Sequence, residues 1–338
     1  MINAYNYISS KIDWNENFGI YSFDSIHKAF EVGSANGATI NMALIQLLRG
    51  LGLEAHPVLL STSMNGQVIK SFPNLDQFNH VISYVEIGET KYLIDAKNKL
   101  RPYNVLPSSV LNREGLLVVA NSINWMPIEA TSQNKVTRLM EINFSDTSMT
   151  GKLISRERGL YSVEARELFD GGNITERIKE YLFDNPEISV DSAYIDKDVP
   201  ESSFDYSAYF QIENVTQSDI IYFNPMLVDL IERNPFVRNE RHYPIDYGFT
   251  FERSMIINMQ VPEGWAIDEL PESVLHRLPD NGGEFRRIVQ DMGDRISISY
   301  RFLINKHRFK SNSYNDLKLM YDQMVLKLAQ NIVLKKEV

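Results

Sequence analysis

His80 opens the strand-like segment "HVISYVEI", Asp95 lies near the end of "TKYLIDA", and between the two segments Gly88 and Glu89 suit a two-residue hairpin turn. With the turn there, Ile87 faces Thr90, Glu86 faces Lys91 and, further along the same register, His80 faces Lys97. The Glu86–Lys91 pairing joins opposite charges across the strands, which supports the register. Asp95 is two residues from the partner of His80, so the two side chains emerge on one face as diagonal neighbours, about 7–8 Å apart at the backbone. At that spacing a carboxylate can orient an imidazole, and a nucleophile beside the pair would complete a triad. A lone His near a lone Asp is more often a local hydrogen bond than catalytic machinery, so the rest of the chain has to supply the context.

The context lies upstream. "ANGATINMALIQLLRGLG", Ala35 to Gly52, reads as a buried helix: Ile40, Leu44, Leu47, Leu48 and Leu51 fall on one stripe and Gly52 stops it. Ser34 and Thr39 suit caps or first-turn positions of that helix. Ahead of it, Ile2, Tyr5, Ile8 and Ile12 mark a first helix, and "SIHKAFEVG" a short second one, capped by Asp24 and ended by Gly33. Trp14, in "KIDWN", is either a buried anchor or a wall of the cleft that the helix start would line. "AHPVLLSTS" adds a third strand, followed by a polar loop from Met64 to Gln77.

Three blocks in order, "ANGATINMALIQLLRGLGLEAHPVLLST", "FNHVISYVEI" and "KYLIDAKN", resemble the transglutaminase-like superfamily, which has a papain-like fold, over roughly residues 1–120. In that family the first block usually reads Gly-x-Cys-x-Asp before a Leu-rich helix ending in Leu-Leu-Arg, and the later blocks supply a His and an Asp. Aligned on Leu47-Leu48-Arg49, the cysteine position falls on Gly37, the acidic position on Thr39, the His on His80 and the Asp on Asp95. A cysteine at a helix N-terminus has its thiolate favoured by the helix dipole and a neighbouring imidazole; glycine has nothing to attack with. Ser34 and Thr39 are poor substitutes, because a helix position two residues away is rotated by about 200°.

The resemblance therefore implies a non-catalytic protein serving as a binding or structural module, with Trp14, Gly37, His80 and Asp95 around a cleft for a peptide, a glycan-linked peptide or a protein partner. A competing expectation is a hydrolase or acyltransferase using His80 and Asp95 with a substitute nucleophile or an activated water. An open groove beside a hydrogen-bonded His80–Asp95 pair favours retained binding, and a groove plugged by side chains favours a scaffold.

Residues 123–134 lose periodicity and read as a junction, giving an α+β domain over 1–125 and an antiparallel β-sandwich with a docked C-terminal helix over 126–338. "TRLMEINF", "MTGKLISRE", "FDYSAYFQIEN", "FERSMIINMQV", "FRRIVQ" and "RISISYRFLI" are strand-like, and "DNGG" and "MGDR" are turns. "NITERIKEYLF" is a helix capped by Asn173, and Tyr314, Leu317, Tyr321, Met324 and Leu328 make the apolar stripe of the last helix. From about residue 135 the chain also resembles a C-terminal domain of unknown function found after such cores in bacterial proteins. Those proteins are commonly exported and commonly carry another β-domain before the core, so by resemblance this chain looks like a shortened relative or a piece cut from a longer one.

A net charge of −10 argues against nucleic acid as the main partner. With no cysteine there are no disulfides or thiolate metal sites, and the six histidines are dispersed without metal-ligand spacing, so no metal or cofactor is expected. Phosphate-binding glycine loops, a secretion signal and an apolar run long enough to span a membrane are all missing, and the compartment stays unassigned.

Overall fold

The computed structural model of the chain describes residues 1–337 except 73, 112, 131, 146, 147, 184, 214, 216 and 217. The chain divides after Gln133 into two compact units. The division falls later than residue 125 because half of the expected junction is strand: residues 122–128 pair along their whole length with residues 113–119. Thr131, in the same stretch, lies outside the described residues.

The first unit begins with α1 (Ile2–Lys11), β1 (Asp13–Trp14), α2 (Ile26–Val32), β2 (Ser34–Ala35) and α3 (Gly37–Gly50). It continues with β3 (Glu54–Leu60), β4 (His80–Ile87), β5 (Thr90–Ile94), β6 (Arg113–Val119) and β7 (Ser122–Ile128). The last five strands form one sheet in the order β5-β4-β3-β6-β7, antiparallel throughout. Helix α3 packs on β3 and β4, burying Ile40, Leu44 and Leu48 completely. Removing a side chain of that size from water contributes about 1.5–3 kcal/mol, so this stripe fixes the helix to the sheet. Leu51, expected on the same stripe, is exposed, because it is the cap residue past the last turn.

The caps differ from expectation by one or two residues. Ser25, not Asp24, caps α2 by accepting the Lys28 N–H, and Asp24 pairs instead with the Lys28 ammonium at 2.6 Å. Asn36 caps α3: its Oδ1 accepts the Thr39 N–H at 3.0 Å, while Ser34 belongs to β2 and Thr39 to the first helical turn. Strands β1 and β2 run parallel and set Trp14 beside Ala35, next to the start of α3.

The β4–β5 hairpin has the expected register, from Ile87 opposite Thr90 to Ser83 opposite Ile94, with Gly88 at φ 61° in the turn. Strand β5 ends at Ile94, so Asp95 and Lys97 lie just beyond the ladder, alongside the start of β4.

The second unit contains β8 (Asn134–Phe144), β9 (Ser148–Arg158), α4 (Leu160–Phe169), α5 (Ile174–Leu182), β10 (Ile188–Val199) and β11 (Ser203–Glu213). Then come β12 (Ile220–Phe223), β13 (Ile245–Asp246), β14 (Phe251–Gln260), β15 (Trp265–Glu269), β16 (Val274–Arg277), β17 (Gly283–Asp291) and β18 (Arg295–Ile304). The chain closes with β19 (Arg308–Phe309), α6 (Tyr314–Leu328) and β20 (Ile332–Lys336).

Eight of these strands form a single sheet in the order β10-β11-β9-β8-β14-β18-β17-β16. Every pairing in it is antiparallel except β14 with β8, a parallel seam from Phe251–Asn134 to Met259–Ile142. The expected sandwich of two antiparallel sheets is thus replaced by one large mixed sheet, with the three-stranded sheet β12-β20-β15 and helices α4–α6 contributing to its core. Five α6 residues, Tyr314, Leu317, Tyr321, Met324 and Leu328, are buried in that core as their spacing predicts, and Asn173 caps α5 through the Thr175 N–H. Gly151 on β9 lies flat beneath the Phe210 ring, so closely that a Cβ there would enter it.

Candidate functional site

His80 and Asp95 are brought together as the hairpin register requires. His80 Nε2 lies 2.9 Å from Asp95 Oδ2, and neither side chain is more than 1% exposed. With an ionised Asp95 as acceptor, Nε2 carries a proton, and in the neutral imidazole Nδ1 then keeps a lone pair. That Nδ1 is buried and makes no hydrogen bond.

Nδ1 faces the start of α3. A Cβ built on Gly37 would lie 3.5 Å from His80 Nδ1 and 3.2 Å from Cε1, so a side chain at position 37 would project against the imidazole edge that has no partner. The same Cβ would come within 2.9 Å of Lys97 Cδ: the lysine stem occupies the space a residue larger than glycine would claim. The Lys97 ammonium then sits 4.3 Å over the Trp14 ring, 4.8 Å over the Phe18 ring and 3.6 Å from Asp95 Oδ2. Phe18 also meets the His80 ring edge to face at 5.7 Å and Trp14 at 5.1 Å. Trp14 is half-buried, with its indole N–H donating to the Asn17 carbonyl at 3.0 Å, so it is both an anchor and a wall of this site.

Behind the pair stands Asn41, one helical turn after Gly37 and fully buried. Its Nδ2 donates towards Asp95 Oδ1 at 3.0 Å, the Val81 carbonyl at 2.9 Å and the Gly37 carbonyl at 3.2 Å. Its Oδ1 accepts the Ala96 N–H at 3.0 Å. One side chain therefore ties α3 to β4 and to the residues following β5. The Tyr5 hydroxyl donates to the carbonyls of Asn98 and Arg101, fixing the turn that carries Lys97.

Electrostatically, Asp95 is the anchor. Burial alone would raise its pKa, but the Lys97 charge, the His80 ring and hydrogen bonds from His80 and Asn41 outweigh burial and hold the carboxyl well below the usual carboxylate range. Burial pulls the Lys97 ammonium below its ordinary value, with Asp95 opposing that pull.

The hydroxyls near the helix start are engaged elsewhere. Thr39 Oγ1 donates to Asn36 Oδ1 at 2.6 Å and lies 2.9 Å from Ser22 Oγ. Sequence reasoning missed Asn41, Lys97 and Phe18. Two of them left a signal: Asn41 is a polar residue on an apolar helix face, and Lys97 is the residue the hairpin register sets opposite His80. Among the described residues no three His, Asp or Glu side chains gather as a metal site, and no helix is long and apolar enough to cross a membrane.

Comparison with known proteins bears on fold. The profile of a family described as a domain of unknown function with a solved structure, DUF3858, matches residues 219–334. A crystal structure of a "putative protease" from Parabacteroides distasonis ATCC 8503 is similar, with a TM-score of 0.56 at 11% identity. The match covers 99% of this chain and 51% of that protein, so this chain spans about half of its length. No curated protein matches in sequence.

Proposed function

We propose that this chain is a non-catalytic relative of the transglutaminase-like superfamily, in which the former catalytic centre has become a closed structural core of a binding or scaffold protein. The observation that carries this reading is at Gly37. Its Cα faces the unpartnered Nδ1 of a His whose Nε2 is held by Asp95, the arrangement in which a cysteine side chain would complete a triad. The place for that side chain is taken by the Lys97 stem, and His80 is sealed from solvent. A hydrolase with a substitute hydroxyl gains no support, since Thr39 and Ser22 bond to each other and Ser34 lies in β2. The plugged geometry favours a scaffold or a surface-binding module over a ligand held between Gly37 and His80.

Restoring the side chain tests this reading. In Gly37→Cys combined with Lys97→Ala, to clear the stem, the new thiol is expected to alkylate rapidly at mildly acidic pH, its pKa displaced below the ordinary value of about 8.5 by the imidazole and the helix start. The parent, lacking cysteine, takes up no label. A thiol that titrates near 8.5 and ignores His80→Ala would mean that position 37 is not the place of a lost nucleophile.

A further inference from the structure

The closed site holds a charge in an unusual setting for a surface lysine. The Lys97 side chain is only 8% exposed, with its ammonium over two aromatic faces and beside a buried carboxylate. Aromatic faces attract a cation through the ring quadrupole, and the attraction grows when water is excluded. A Cβ on Gly37 would come within 2.9 Å of Lys97 Cδ, so the stem packs this closely against α3 where position 37 is glycine. Phe18 is itself 43% exposed, so the cage lies close to solvent on that side. A partner-free nitrogen, His80 Nδ1, is aimed at the same space.

We propose that Trp14, Phe18 and Asp95 form an ammonium cage, that Lys97 is its built-in occupant, and that the ligand class fitting the cage in place of Lys97 is a primary alkylammonium. The two rings supply the cation-binding faces and Asp95 the counter-charge. His80 Nδ1 offers an acceptor to an ammonium proton once the lysine stem is gone. Lys97 outcompetes external amines by being tethered two residues from Asp95, an effective concentration a free amine cannot match. The inference rests on the reading of this site as closed and assigns no reaction to it.

Thermal unfolding of the parent and of Lys97→Ala at neutral pH tests the cage, with n-propylammonium chloride compared against sodium chloride at equal ionic strength and against n-propanol. Lys97→Ala is expected to melt below the parent. It should regain about 3–5 °C, saturably, once propylammonium exceeds its Kd about fivefold. The parent should respond to propylammonium as it does to sodium chloride. Rescue by propanol as large as by the ammonium, or no saturable rescue, overturns the cage. If Lys97→Ala does not fold, acetylation of Lys97 by an N-hydroxysuccinimide ester, followed by mass spectrometry, decides instead. Trp14→Leu should speed labelling of Lys97 about fivefold over the parent, as expected for losing one desolvated cation–π contact, and an unchanged rate refutes the proposal. Failure here would leave the thiol reactivity of a cysteine at position 37 untouched, so the two readings fall separately.

Discussion

Replacing Asn41 by Ala should be among the most damaging single changes in the first unit. The substitution removes the donor to Asp95 Oδ1 and to the Val81 carbonyl, and the acceptor for the Ala96 N–H, all within a residue that is fully buried. Leaving a buried polar group without its partner costs about 1–3 kcal/mol, and more where a charge is involved. Three lost bonds at the upper value for a neutral group total about 9 kcal/mol, but Asp95 Oδ1 keeps the Lys97 N–H at 3.3 Å and water entering the vacated volume recovers part of the rest, so the expected loss is about 3–4 kcal/mol. Against a typical total of about 5–15 kcal/mol that is a large fraction of the stability. Asn41→Leu, which fills the volume and keeps water out, should cost about 1 kcal/mol more than Ala. Urea unfolding followed by circular dichroism measures both, and amide exchange at Ala96 reads the local effect, since its N–H loses its acceptor. A loss below about 1 kcal/mol for Asn41→Ala, with Ala96 still protected, would refute the claim that Asn41 holds the site together.

Two further outcomes follow from the same structure. Asp95 has a folded-state pKa below its unfolded value near 3.9, so its contribution is fully present above about pH 4 and is lost as pH falls through the depressed folded value. Asp95→Asn should therefore be less stable than the parent at pH 7, with the gap narrowing below about pH 4; a constant gap down to pH 2 in urea titrations would contradict this. In the second unit, Gly151→Ala pushes a methyl into the Phe210 ring and should cost about 1–3 kcal/mol by overpacking, whereas Phe210→Leu in the same background should relieve part of that loss. Additive losses in the double mutant would place the strain elsewhere.

The hairpin was legible because its information is local. Gly88 takes the left-handed turn position, Glu86 and Lys91 fix the pairing, and the side-chain alternation then puts His80 and Asp95 on one face. The stripe of α6 and the Asn173 cap of α5 were legible for the same reason. The centre of the site was less so. Asn41 has meaning only once α3 is laid on β4, and the Lys97 stem packs against position 37 only once the turn after β5 is laid beside the start of α3. Helix α4 escaped notice because it starts directly after β9 at Gly159, φ 62°, with no capping side chain to announce it. Strand β7 read as a junction because Pro127 is exposed and Ser122 and Asn124 break the apolar run, a composition that suits an edge, where one side of the ladder faces no partner strand.

The parallel seam between β8 and β14 has a consequence for how the second unit is divided. The matched family residues, 219–334, include β14, β16, β17 and β18 but none of β8 to β11. A fragment expressed with those boundaries would end the large sheet at β14, leaving the nine pairings from Phe251 to Met259 without the strand that meets them in the full chain. Such a bare edge, flanked by the buried Met255, Ile257 and Met259, is a template for association with other chains. Soluble expression of this region therefore calls for a start at or before Asn134, so that β8 is present to close the edge.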